Sequence, residues 1–162
     1  MKTLLVVWHS ATGGARQMAE AAARAAFDPE ITVRLLHAPG ATADDVLNAD
    51  GYIFVAPENL AALAGVMKDF FDRVYYPALE RINGRAYATL ICAGSDGENA
   101  ARQIARIATG WRLKPIAPPV IVCTQAQTPE AILAPKIIGD ADLLRCQEIG
   151  ATMAAGLAAG IF

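Results

Sequence analysis

Two hydrophobic periodicities alternate along this chain. Short apolar runs of strand length are separated by longer segments in which apolar residues recur every three or four positions. Runs of the first kind predict β-strands, and segments of the second kind predict amphipathic helices. The predicted strands are residues 3–8, 31–36, 51–56, 86–93 and 116–123. The predicted helices are residues 15–27, 43–47, 65–76, 98–109 and 139–160.

This alternation predicts an α/β fold in which a parallel sheet lies between two layers of helices. Parallel neighbours need a crossover connection, and the helices supply it. The first, third and fourth strands are apolar throughout and are expected at the centre of the sheet. The second strand alternates Ile31, Val33 and Leu35 with polar residues, which is typical of an edge. We therefore predict a three-layer α/β/α sandwich with five parallel strands in the order 2-1-3-4-5. A ligand crevice is then expected where the first and third strands end.

Length, hydrophobicity and net charge indicate the number of domains, the location and the kinds of partner to expect. A length of 162 residues fits one domain spanning residues 1–162. No apolar run reaches the roughly 18 residues of a membrane span, and the N-terminal apolar run lacks a cleavage signature, so we expect a cytoplasmic protein with no membrane partner. The net charge of −2, with both signs mixed along the chain, predicts no nucleic-acid partner.

Cysteines and histidines offer little evidence of metal or thiol chemistry. Cys92, Cys123 and Cys146 are odd in number, far apart and mostly in apolar surroundings, which indicates reduced core thiols. His9 and His37 have no carboxylate cluster beside them in the sequence, so no metal site is predicted. His9 is either a surface residue or a donor to a nearby anion.

A run of small residues separates the first strand from the first helix. The residues of this first loop are His9, Ser10, Ala11, Thr12, Gly13, Gly14 and Ala15. The two glycines allow close approach of the backbone to a ligand, Ser10 and Thr12 add hydroxyls, and a helix N-terminus offers free N–H groups. The spacing matches neither a P-loop nor a dinucleotide fingerprint. The loop is therefore either a phosphate site or a strand-to-helix turn capped by Ser or Thr.

The first loop resembles the flavin mononucleotide (FMN) phosphate loop of flavodoxins and of the related NAD(P)H-dependent FMN and quinone reductases. That pattern reads Ser/Thr-x-Thr-Gly-x-Thr, and its final Thr is replaced here by Ala15, with Arg16 as a possible substitute contact. Residues 67–73, "MKDFFDR", are similar to a helix of the reductases that follows a Pro-led loop. The aromatic residues of that helix are expected in the core. The resemblance implies a flavodoxin-like fold.

Two further loops are implied by the resemblance to line the flavin. Residues 57–64 would form a wall for the isoalloxazine ring, and the second loop within it (Pro57, Glu58, Asn59 and Leu60) would supply the contacts. Residues 57–64 contain no aromatic, so the ring would rest on Asn59 and Leu60, on Trp8 or Trp111, or on a partner subunit. The third loop (Gly94, Ser95, Asp96 and Gly97) would follow the pyrimidine edge. Asp96 is either a helix cap or an acceptor for the flavin N3–H or a substrate.

The resemblance implies noncovalent FMN, with NAD(P)H as co-substrate and a quinone, flavin or similar small molecule as electron acceptor. No side chain is assigned a catalytic role. A flavodoxin-type electron carrier and a flavin-free binding protein are the alternatives. Tyr75, Tyr76 and Leu79 are predicted to form an apolar patch that supports a homodimer. The Pro-punctuated segment 124–136 is expected to form a lid or a subunit contact.

Overall fold

A computed structural model describes residues 1–162 as a twisted sheet with helices on both faces. The strands are β1 (Lys2–Trp8), β2 (Ile31–His37), β3 (Gly51–Asn59), β4 (Ala62–Leu63), β5 (Ala86–Ala93), β6 (Lys114–Pro115) and β7 (Val120–Cys123). The five long strands follow the predicted order, with β2 at one edge, then β1, β3, β5 and β7. The predicted α/β class is therefore confirmed.

The helices are α1 (Gly14–Ala25), α2 (Ala43–Leu47), α3 (Gly65–Ala78), α4 (Glu98–Gly110), α5 (Pro129–Leu133) and α6 (Asp140–Ala158). A single 3₁₀ turn, Ala38–Gly40, precedes α2. None of the helices combines the length and the apolar character that crossing a bilayer would require.

The continuous apolar pattern of β1 reflects a core on each side of the sheet. Leu4 and Val6 face α1 and α6, whereas Leu5 and Val7 face α2, α3 and α4. Because both faces are covered, no position of the strand centre can be polar without losing solvation. In α3 the predicted core residues Phe70 and Phe71 are buried.

Sequence reasoning was wrong about the number and the ends of the strands. The sheet has seven strands instead of five, because two two-residue strands, β4 and β6, were missed. The third strand continues to Asn59 and turns back antiparallel into β4, so residues 57–64 form a hairpin and the sheet is not wholly parallel. The fifth strand begins at Val120 instead of residue 116, since Pro118 and Pro119 have no N–H to donate to β5.

Candidate functional site

The three loops singled out in the sequence lie at the carboxyl edge of the sheet, where they surround a cavity of about 540 Å³. A volume of this size is typical of small-molecule sites. Eight residues of the three loops line it: Ala11, Thr12, Pro57, Glu58, Asn59, Leu60, Gly94 and Ser95. Ala61, from the predicted wall at residues 57–64, also lines it. The remaining lining residues were not predicted: Cys92, Ala93, Thr124, Ala126, Ile132, Leu133 and Lys136.

The first loop presents a row of unpaired backbone donors. Gly13 adopts a left-handed conformation with φ of +94°, and its N–H donates to Ser10 Oγ at 3.0 Å. A Cβ on Gly14 would lie 2.6 Å from Cys92 Sγ, so only glycine allows α1 to begin this close to β5. Hydrogen bonds inside the protein leave free the N–H groups of Ser10, Ala11, Thr12, Gly14, Ala15 and Arg16. This arrangement suits an anion with several oxygens.

A carboxylate links the second and third loops. Glu58 Oε1 accepts a hydrogen bond from Gly97 N at 3.0 Å, at the N-terminus of α4. Glu58 Oε2 is buried and has no hydrogen-bond partner, although the residue lines the cavity. A buried carboxylate oxygen without a donor is costly unless a ligand supplies one. Glu58 therefore has one carboxylate oxygen that lacks a donor, beside the cavity that the residue lines.

The β3–β4 hairpin forms one wall of the cavity and is strained at its tip. Leu60 and Ala61 have φ of +50° and +61°, in a two-residue turn that usually carries Asn-Gly. Two side chains of α4 hold it in place: Asn99 Nδ2 donates to Ala61 O at 2.7 Å, and Gln103 Oε1 accepts from Leu63 N at 2.7 Å. The Leu60 side chain is fully exposed at the rim. Strain held by neighbouring elements in this way is often found beside binding sites.

A further part of the cavity lining comes from residues 124–139, which we call the connecting segment. The segment contains α5, whose Ile132 and Leu133 are largely exposed and line the cavity. It is fastened to the first loop by Gln17, whose side-chain amide donates to Lys136 O at 2.7 Å and accepts from Ile138 N at 3.0 Å. Sequence reasoning expected a lid or a subunit contact at residues 124–136 but assigned none of these residues to the site.

Three residues considered from the sequence lie away from the cavity. Asp96 is exposed, and its Oδ1 accepts from Glu98 N at 3.2 Å, beside Gly97, which is the N-cap of α4. Arg16, the suggested substitute for the missing threonine, is paired with Glu20 at 2.8 Å. Trp111 is completely buried against α3, with its indole N–H donating to Tyr75 O, so it cannot contact a ring in the cavity.

The two histidines, which are far apart in sequence, form a pair beside the first loop. Parallel pairing places His37 opposite Trp8, and His9 Nδ1 lies 3.1 Å from His37 Nε2. Trp8 packs on the His37 ring with a centroid distance of 4.6 Å. Burial lowers the pKa of His9, and the neighbouring His37 lowers it further. Neither Trp8 nor His9 lines the cavity.

The cysteines are free thiols, as the sequence predicts. Cys92 and Cys146 are buried, and Cys123 is half-buried. Burial raises the pKa of Cys92 to about 11 and that of Cys146 to about 12. Both thiols are therefore protonated at neutral pH and are poor nucleophiles.

Comparison with known proteins identifies the family. Residues 17–128 match the family described as NADPH-dependent FMN reductase. The match contains the second and third loops and begins just after the first. The chain is 37% identical to a flavodoxin of Aquifex aeolicus over 60% of its length, and 34% identical to an NAD(P)H dehydrogenase (quinone) of Acidithiobacillus ferrooxidans over 45% of its length. The matches cover 53% and 47% of those proteins, so the chain spans about half the length of either relative.

The fold has close counterparts among solved structures. An archaeal flavodoxin superposes with a TM-score of 0.77 at 18% identity, covering 96% of this chain and 99% of that one. At this identity the likeness establishes the fold alone. Together with the family match it confirms the resemblance seen in the sequence. The chain belongs to the NADPH-dependent FMN reductase family and has a flavodoxin-like fold.

Proposed function

We propose that this protein binds FMN noncovalently in the 540 Å³ cavity and uses NAD(P)H to reduce a small-molecule acceptor such as a quinone or a flavin. One observation carries the proposal: the first loop has free backbone N–H groups and the second loop has an unpaired carboxylate oxygen, and both loops line the same cavity. FMN has a phosphate and a ring N–H. The site thus has a partner for each of these two polar groups.

The first loop would hold the phosphate. The free N–H groups of residues 10–12 and 14–16, together with the Thr12 hydroxyl, supply donors for its oxygens. The dipole of α1, which is 12 residues long, favours negative charge at this end. Gly13 and Gly14 keep the backbone close to the ligand.

The second and third loops would orient the ring. Glu58 Oε2 would accept the pyrimidine N–H, the role that sequence reasoning gave as one option for Asp96. Leu60 and Leu133, which both line the cavity, would exclude water from the faces of the ring. When bound, FMN supplies the capacity to take hydride from a nicotinamide and pass electrons on. The protein contributes binding, orientation and exclusion of water.

A fluorescence titration followed by a turnover assay tests the proposal. We expect saturable quenching of FMN fluorescence at one FMN per chain. The loaded protein should then oxidise NADPH or NADH when a quinone or free FMN is present. No saturable binding of FMN would contradict the cofactor site, whereas binding without turnover of any acceptor would contradict the reductase activity.

A flavodoxin-type electron carrier is the second candidate. The 37% identity to the Aquifex flavodoxin favours it. The net charge of −2 and the absence of an aromatic from residues 57–64 favour the reductase. Flavodoxin-type carriers are usually strongly acidic and have an aromatic residue in the second loop that stacks on the flavin. Reduction of the bound flavin by NAD(P)H without a partner reductase separates the two.

Location, domain organisation and assembly are further parts of the proposal. We propose a cytoplasmic protein in which residues 1–162 act as one domain, and the three free thiols support the location. A homodimer is supported only by Tyr76, which is 77% exposed, because Tyr75 and Leu79 pack against the core. Sedimentation showing only monomer at micromolar concentration would contradict the dimer.

A further inference from the structure

One lysine from the far end of the chain lies against the first loop. Lys136 N donates to Thr12 O at 2.9 Å, and Lys136 O accepts from Gln17 Nε2 at 2.7 Å. These two backbone contacts fix the residue beside the start of α1. Its Nζ lies 3.5 Å from Thr12 Oγ1, and the side chain lines the cavity. Lys136 is thus positioned by backbone contacts to the loop proposed to hold phosphate.

The ammonium group of Lys136 carries a charge that no protein carboxylate neutralises. Its Nζ donates to the carbonyl oxygens of Ala131, Ile132 and Ala134 at 2.7, 2.9 and 2.6 Å. These carbonyls hold the group in place at the C-terminal end of α5 and use all three of its N–H donors, but they contribute only dipoles, so the group offers a bound anion its charge and no further hydrogen bond. None of the salt bridges of the chain involves Lys136. The positive charge at this end of the cavity is therefore available to an anion.

The other cationic side chain near the first loop, Arg16, already forms a salt bridge. Arg16 is paired with Glu20, and its side chain is 62% exposed. Ala15 has no hydroxyl to offer where the family pattern has a threonine. A phosphate monoester carries between one and two negative charges at neutral pH, and these are favoured by a nearby fixed cation.

We propose that Lys136 supplies the positive charge that retains the phosphate of FMN, so that the protein distinguishes FMN from riboflavin through a residue outside the first loop. The inference rests on the proposed cofactor site. It assigns to the connecting segment a role in cofactor selection in addition to forming a wall. It also accounts for a loop that lacks one hydroxyl of the family pattern.

Titration of Lys136→Met with FMN and with riboflavin tests this inference. Methionine keeps the length of the side chain and removes its charge. We expect FMN affinity to fall about ten-fold, because one unneutralised charge near the phosphate is removed, and riboflavin affinity to change less than about two-fold. Lys114→Met is the matched control, because Lys114 is exposed in β6 and pairs with Ala86 at the opposite edge of the sheet. This control should bind both flavins as the unmodified protein does.

The use of two flavins separates the phosphate contact from a structural role. Loss of the contacts to α5 alone would displace a wall of the cavity and weaken both flavins equally, which would overturn the inference. Unchanged FMN affinity would also overturn it. If the unmodified protein bound neither flavin, the proposed function itself would fail, and the role of Lys136 with it.

A measurement on the unmodified protein covers the case in which Lys136→Met does not fold. Raising the ionic strength from about 0.01 M to about 1 M shortens the Debye length from about 30 Å to about 3 Å. We expect FMN binding to weaken and riboflavin binding to stay constant or strengthen. Equal responses of the two flavins would overturn the inference.

Discussion

Two glycine turns at the carboxyl edge of the sheet have nearly the same backbone. Gly13 precedes α1 with φ of +94° and ψ of −12°, and Gly97 precedes α4 with φ of +88° and ψ of −12°. Neither helix has a side-chain cap at this position. Both turns therefore direct the positive end of a helix toward the same cavity edge.

The two turns differ in the anion that they meet. At α4 the Gly97 N–H is already bonded to the carboxylate of Glu58. At α1 the Gly13 N–H is bonded only to the neutral Ser10 hydroxyl, and the N–H groups beyond it are free. One helix terminus is thus neutralised within the protein, and the other is left for a ligand. The difference between the two helix termini depends on the side chain that accepts from the glycine N–H, which is Glu58 at Gly97 and Ser10 at Gly13.

Among the substitutions at the two turns, Gly13→Asp is expected to change FMN affinity most. Gly13→Asp would place a carboxylate at the helix terminus that is free for a ligand, in a conformation that costs about 1–2 kcal/mol for a side chain. We expect FMN affinity to fall by more than about a hundred-fold, because several charge-assisted bonds to phosphate are lost. Isothermal titration with FMN measures the change.

Gly84→Asp is the matched control for this substitution. Gly84 also has positive φ, at +81°, and a Cβ there would meet nothing within 4 Å. The variant therefore carries the same backbone strain and the same added charge away from the cavity. FMN binding reduced equally in both variants would indicate that destabilisation, and not the anion site, causes the effect.

Loss of the Glu58 charge tests the other turn. Glu58→Gln replaces one carboxylate oxygen by an NH₂ group, which is a donor and cannot accept from the Gly97 N–H or from a ring N–H. We expect FMN and riboflavin to weaken by the same factor of about ten, because the contact is to the ring and not to the phosphate. Glu98→Gln, in the first turn of the same helix but outside the cavity, should change either affinity less than about two-fold. A selective loss of FMN would contradict the assignment of Glu58 to the ring.

The positions of the three loops could be predicted because they follow from strand order. Apolar strands that end in small polar residues place those residues at one edge of a parallel sheet, and the order 2-1-3-4-5 makes them neighbours. The sequence could also have shown the late start of β7, since Pro118 and Pro119 break the ladder. The predicted strand started too early because the apolar run was extended through prolines, which have no backbone N–H to donate to a neighbouring strand.

Features that depend on long-range contacts could not be predicted. The hairpin tip is Leu60-Ala61, which lacks the Asn-Gly signal of its turn type and is held by α4. The His9–His37 pair depends on the register of β1 and β2, which the alternation pattern does not specify at an edge. Lys136 is 124 positions from Thr12, within a connection whose path the hydrophobic pattern leaves undefined.

The smallest expected effect comes from restoring the hydroxyl that the family pattern has at position 15. Ala15 lies in the first turn of α1, is 1% exposed and has a free N–H. Ala15→Ser should tighten FMN by about three- to five-fold, the size of one net hydrogen bond, and leave riboflavin unchanged.

The size of this gain in affinity tests how completely the N–H groups at the start of α1 already bind the phosphate oxygens. Ala19→Ser, one helical turn further along and equally buried, adds the same hydroxyl one turn away from the first loop and should leave both affinities unchanged. Equal tightening of both flavins by Ala15→Ser would contradict a phosphate contact. Because the same titrations are made on Lys136→Met, a larger gain from the serine in the lysine-free background would show that the two residues serve one phosphate.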